Sequence, residues 1–132
     1  FMGYLALVSE AMYVQLGATY ANVLVEYIKN SYNNQFYIEV GAYPEVHPQA
    51  LSADKDFEHF TNKVKAGADG AITQFFFLAE AYYDFADRCE KANLNIPITL
   101  FHGTKDRVVP LSFSKKILNI FPISNKKLIK IH

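Results

Sequence analysis

Apolar residues recur along this chain with two alternating periods. In residues 3–16, Leu5, Val8, Met12 and Leu16 fall at spacings of three and four, which places them on one face of a helix. The spacing predicts a first helix there. Gly17 interrupts it, and Tyr20, Val23, Leu24, Tyr27 and Ile28 resume the helical period up to the asparagine-rich turn at 30–34, as a second helix or the same helix kinked. Residues 36–42 alternate and are rich in β-formers, so they predict a strand; Pro44 and Pro48 then break regular structure. Ser52 is a helix cap, with Asp54 and Asp56 near the positive end of the next helix and Phe57, Phe60 and Val64 as its apolar stripe. Lys63 and Lys65 suit its other end, and Gly67 stops it.

Residues 71–77 form an almost unbroken apolar run, the pattern of a strand covered on both faces. A helix follows over 80–92 with Tyr82, Phe85 and Cys89 on one side, then a strand over 96–102, a helix over 112–121 closed by Pro122, and a last strand over 127–131. Such alternation predicts one α/β domain over residues 1–132. Its expected architecture is a three-layer sandwich on an open, mostly parallel sheet of about four strands, flavodoxin-like or hydrolase-like. A closed barrel is not expected, because closing a (βα) barrel takes eight strands.

Composition narrows the partners. Thirteen basic and thirteen acidic residues cancel, so no long-range field gathers nucleic acid or an acidic membrane surface. Lys126, Lys127 and Lys130 are too few and too dispersed for a phosphate-backbone site. The single cysteine, Cys89, excludes an internal disulfide and a thiolate zinc site, and suits a reducing, cytoplasmic setting. No apolar run approaches the roughly 20 residues that cross a bilayer, and the first eight residues show no basic region or cleavage pattern. No metal site is expected. Exposed edges of an open sheet give the chain a route to a homodimer.

Three blocks carry chemistry. AYPEVHP at 42–48 lies where a strand gives way to a loop, and ligands of parallel α/β sheets bind at the carboxyl ends of strands. KVKAGAD at 63–69 and ITQFFF at 72–77 follow. In this order and spacing, the blocks resemble the methylenetetrahydrofolate reductase family over residues 18–97, reaching back to Tyr20 and Ala21 and forward to Phe85 and Cys89. That family reduces 5,10-methylenetetrahydrofolate with FAD in an eight-stranded βα barrel. The resemblance implies that Tyr20, Ala21, Tyr43 and His47 contact the flavin, and that Ala50, Asp56 and Lys63 line its ribose, adenine or phosphate side. It also implies that Gln74 hydrogen-bonds a folate-type pterin. His59 and Asn62 stand where the family usually has Asn and Arg, and Leu78 replaces an acidic residue. The family's early strands, with the catalytic-acid glutamate and a Gly-Asp segment near the flavin, have no counterpart here, so no catalytic residue is assigned.

The ends resemble something else. HGTKDRVVP at 102–110 resembles the HGxxDxxVP turn of α/β-hydrolases, which would make Asp106 a triad acid, and GYLAL at 3–7 resembles the helix after a nucleophile elbow. No serine nucleophile or triad histidine can be placed. A chimera with a junction near Pro97 accounts for the change of motif. Three functions follow: a fragment or recombined scaffold of the reductase with residual flavin binding and no turnover, a truncated esterase-like hydrolase, or a non-catalytic structural domain.

Several of these residues also have plain readings. His47 between prolines is otherwise a solvated loop residue, and residues 75–77 are core phenylalanines. Gln74 either bonds neighbouring backbone or lines a pocket, since a buried unpaired amide is costly. Glu39 reads as solvent-facing or at a sheet edge, Asp106 as a turn residue, and Asp84, Asp87 and Arg88 as a solvated helix face.

Overall fold

The computed structural model describes residues 3–7, 20–107, 110–120 and 126–131. Strands β1 (Gly3–Leu7), β2 (Phe36–Ala42), β3 (Gly70–Thr73), β4 (Ile98–Gly103) and β5 (Lys126–Ile131) alternate with helices α1 (Ala21–Tyr32), α2 (Ala53–Lys65), α3 (Ala79–Lys91) and α4 (Leu111–Ile120). All neighbouring strands pair in parallel, in the order β1-β2-β3-β4-β5. The result is the open parallel α/β sheet expected, with no closure into a barrel.

Some details differ from expectation. The sheet has five strands, because residues 3–7 are an edge strand paired to β2 rather than the start of a helix. Five residues are too few to decide between periods, and pairing with β2 overrode the helical spacing. The rest of the predicted first helix, 8–16, lies outside the described residues. Strand β3 ends at Thr73, which leaves Phe75 and Phe77 exposed by 62% and 57% rather than in the core.

The helices also occupy one side. Strand partners in register point the same way, so Val40, Ala71 and Ile98 share a face. Together with Ile38, Ala42 and Leu100 they are buried against Leu24, Val25, Ile28, Phe60, Tyr82, Phe85, Ala86 and Cys89 of the helices. Each helix touches the next: α1 packs on α2, Phe57 and Phe60 of α2 meet Phe85 of α3 at 6.1 and 5.0 Å between ring centroids, and α3 packs on α4. Helices on opposite faces could not do so. Among the described residues the fold therefore has two layers, not three. The physical cause is the strand order: every right-handed crossover steps to the next strand in the same direction, whereas doubly wound folds reverse direction once. The strand order is sequential, β1-β2-β3-β4-β5, with no reversal of direction among the described strands.

The register also places Glu39 beside Gly70 on the other face, in an interior strand, and only 8% of it is exposed. It is neither at an edge nor solvated. No helix of the described residues is long and apolar enough to cross a membrane.

A polar tie holds the amino ends of β2 and β3. The Asp69 carboxylate accepts from Lys29 Nζ at 2.6 Å and from the Ile38 amide at 2.8 Å, and Lys29 also donates to the Phe36 carbonyl at 3.1 Å. Gly67 makes the turn before Asp69 at φ 115°, a conformation that resists any side chain, and an added Cβ would stand 3.0 Å from Lys29 Cγ. Replacing Lys29 by Met leaves a half-buried carboxylate without its cation, so the Lys29→Met variant is expected to lose about 1–3 kcal/mol, read as a lower urea midpoint with an unchanged slope.

Candidate functional site

The carboxyl ends of β2, β3 and β4 carry the loops that sequence reasoning singled out. After β2 the chain turns through residues 43–48, with the Val46 amide donating to the Tyr43 carbonyl at 3.2 Å. Val46 sits at φ 71°. A β-branched side chain is strained there, at about 1–3 kcal/mol, and persists only where neighbours fix the loop. They do so on both sides. The His47 amide donates to Asp56 Oδ2 at 2.9 Å, and the Ala50 amide to the His47 carbonyl at 2.9 Å. Glu45 Oε1 accepts from the amides of Phe77 and Leu78 at 2.7 and 2.8 Å. Leu78 caps α3 without a side-chain acceptor of its own, so Glu45 supplies the negative group at that helix start and joins the β2 loop to the β3 loop.

This constraint sets two rings and a cation together. Tyr43 and His47 meet edge to face with centroids 4.5 Å apart, and His47 Nδ1 accepts from the Gln49 amide at 3.1 Å. Lys63 reaches from α2 to donate to the Gly41 carbonyl at 2.6 Å, with its ammonium 5.9 Å from the Tyr43 ring centre and 5.7 Å from that of Phe60. Burial pushes this ammonium down to about 8, against the opposing pull of Asp56. Tyr43, Asp56, Lys63, Asp84 and Arg88 line a hollow of about 40 Å³, which has no room for a ring.

The other expected contacts lie apart. Tyr20 is 59% exposed at the start of α1 and stacks on His59 of α2 at 6.3 Å, while Ala21 is buried beneath it. Ala50 is half-buried at the end of the β2 loop. Gln74 lines a different hollow, of about 230 Å³, with Phe75, Phe76, Phe101, His102, Asp106, Phe113 and Ser114. Gln74 is exposed rather than buried in an apolar run; it lines that hollow, and its Oε1 accepts from the Phe75 amide at 3.0 Å. Tyr43, His47 and Lys63 thus converge, and Gln74 does not share their hollow.

Some groups were not legible in advance. Glu45 gave no signal, since its partners are 32 and 33 residues away. Arg88 is not on a solvated face: its guanidinium lies 4.4 Å from the Phe57 ring centre and pairs with Asp54 at 2.8 Å. Asp106 does close a turn, its amide donating to the Gly103 carbonyl at 3.1 Å. His102 and Ser114 are buried and joined at 2.7 Å. Among the described residues no group of His, Cys, Asp and Glu is placed to hold a metal ion.

Comparison with known proteins fits the loop blocks. The family described as methylenetetrahydrofolate reductase matches residues 9–103, reaching beyond both ends of the 18–97 segment. The 5,10-methylenetetrahydrofolate reductase of Buchnera aphidicola subsp. Baizongia pistaciae is 41% identical over 106 residues, covering 80% of this chain and 33% of that protein. That of Escherichia coli K12 is 49% identical over 79 residues, covering 60% of this chain and 26% of that protein. The chain thus spans about a quarter to a third of the length of these curated relatives. Among solved structures, Thermogutta terrifontis esterase 2 phosphonylated by sarin aligns over 98% of this chain and 72% of that one, at 8% identity and a TM-score of 0.39, too slight a likeness to bear on the fold. The family match takes in the β2 loop, Lys63 and Gln74 and covers well over half of the sequence, and the chain belongs to the methylenetetrahydrofolate reductase family.

Proposed function

We propose that this chain is the flavin-side portion of an FAD-dependent methylenetetrahydrofolate reductase-type oxidoreductase, and that by itself it binds flavin weakly without turnover. The observation that carries the reading is the joining of Tyr43, His47 and Lys63 by a strained loop at the carboxyl end of β2. Two ring faces suit a flat heterocycle, and a partly desolvated ammonium suits a pyrophosphate. The donor set therefore fits one end of FAD. Asp56 lines the same hollow, Tyr20, Ala21 and Ala50 would meet more distant parts of the cofactor, and Gln74 is the contact for a folate-type edge. When bound, FAD would supply hydride transfer. The hollow at the cluster, only about 40 Å³, would not enclose the ring, and weak affinity follows.

A second reading concerns residues 104–132, which the family match does not reach. The turn that holds Asp106 follows β4 as the HGxxDxxVP turn does in hydrolases, and we infer a recombined tail that begins near Gly103 rather than Pro97. One natural homologue aligned without a break across residues 95–132 would remove it.

Flavin binding is tested by titrating the purified chain with FAD and following flavin fluorescence and absorbance. Saturable change at high micromolar FAD, weakened about tenfold or more in Lys63→Ala through loss of one charged contact, is the expected result. An unperturbed spectrum at that concentration refutes binding.

Lys63 also makes stability depend on pH. Its folded pKa, about 8, lies below the unfolded value near 10.5, so the folded state binds fewer protons between those limits. The cost of burying its charge is present in full below pH 8 and fades as pH rises to about 10.5. Wild type should therefore gain stability relative to Lys63→Met across that window in paired urea titrations, and the comparison cancels the opposing ionisation of Cys89, whose thiol burial pushes up to about 12. Val46→Gly should stabilise the chain by about 1 kcal/mol by relieving the positive φ, measured the same way.

A further inference from the structure

The larger hollow, of about 230 Å³, plays no part in the flavin reading beyond Gln74. It lies where β3 and β4 end, against the first half of α4, and holds a chemical pair that the proposed function does not use. Ser114 Oγ and His102 Nδ1 are 2.7 Å apart, both residues are buried, at 4% and 8% exposure, and both line the hollow. Nucleophile and base within hydrogen-bond reach is the arrangement that activates a serine hydroxyl. Asp106 lines the same space and adds a carboxylate to its wall. Gln74 Oε1 is taken by the Phe75 amide, which leaves the Nε2 hydrogens to donate to an oxyanion. The walls are aromatic, and Phe75 and Phe101, exposed by 62% and 46%, open the hollow to solvent.

We propose that Ser114 and His102 form an acyl-transfer dyad whose substrates are short-chain esters of an aryl alcohol. The Ser114 Oγ to carbonyl-carbon bond forms as the hydroxyl proton passes to His102 Nδ1. The ester carbon–oxygen bond breaks, and the aryl oxide leaves with that proton. Water then attacks the acyl carbon, giving its proton to His102, and the free acid departs as Ser114 Oγ regains a proton. No oxidant or further reactant enters. Nothing in this step depends on flavin, and the nucleophile is a serine that no hydrolase motif in the sequence marks.

The bland alternative is that the pair only clasps α4 to β4, and the two differ by experiment. The full chain is mixed with p-nitrophenyl acetate, p-nitrophenolate release is followed, and the acid-quenched protein is digested and its acetylated peptide mapped by mass spectrometry. Release about 10²-fold slower in Ser114→Ala and in His102→Ala, with the acetyl group of the wild-type protein on Ser114, is the expected result. Mapping the wild type needs no variant to fold. An acetyl group found only on Lys63 or another amine, or release unchanged in a folded Ser114→Ala, overturns the proposal and leaves the clasp. FAD titration of the same samples reports on the other cluster, so the two readings fail separately.

Discussion

Everything in this molecule follows from one topological constraint: each crossover carries the chain to the next strand in the same direction. Four helices then fall side by side on one face of the sheet, and the described loops after β2, β3 and β4 leave from one rim. The apolar positions obey this layout. Ile38, Val40, Ala42, Ala71, Ile98 and Leu100 sink to 2% exposure or less because a continuous row of helices covers them. The opposite face keeps Glu39, Thr99 and Phe101, of which Phe101 remains 46% exposed. This reductase-family chain, which covers a quarter to a third of its curated relatives, forms an open parallel sheet of five strands among the described residues.

The two ends of the sheet do different work. At the amino ends, Asp69 binds one ammonium and one strand amide, and a glycine turn delivers it, so the register of β2 against β3 is pinned by half-buried polar contacts. At the carboxyl ends, strain is held rather than avoided. Val46 stays at positive φ because the loop is fastened twice, by Asp56 of α2 to the His47 amide and by its own Glu45 to the start of α3, and that is what brings the Tyr43 and His47 rings within 4.5 Å. Rigidity at one rim lets the other rim carry reactive groups.

Two chemically separate clusters result. Lys63, desolvated under Tyr43 and Phe60, is a cation whose charge is costly to bury, a state that an anionic ligand would relieve. Ser114 and His102 instead form a hydrogen-bonded pair in an aromatic hollow, close to Gln74 but apart from the Tyr43 cluster. One rim can serve both because the β2 loop and the β4 end have their own partner helices.

By itself the sequence determined the element order from Tyr20 onward, the helix stripes, the Ser52 cap and the family, because these depend on periods and motifs within a few residues of each other. It also marked Tyr43, His47 and Lys63 through motif blocks, although not that they would meet. Only the tertiary structure decided that residues 3–7 join the sheet, that Phe75 and Phe77 face solvent, that Glu39 is buried, and that Ser114 finds His102 twelve residues away. The physical reason is the range of the interaction: apolar periodicity records which face of an element is buried, while strand order, which sets what buries it, comes from hydrogen bonds between segments 27 to 33 residues apart.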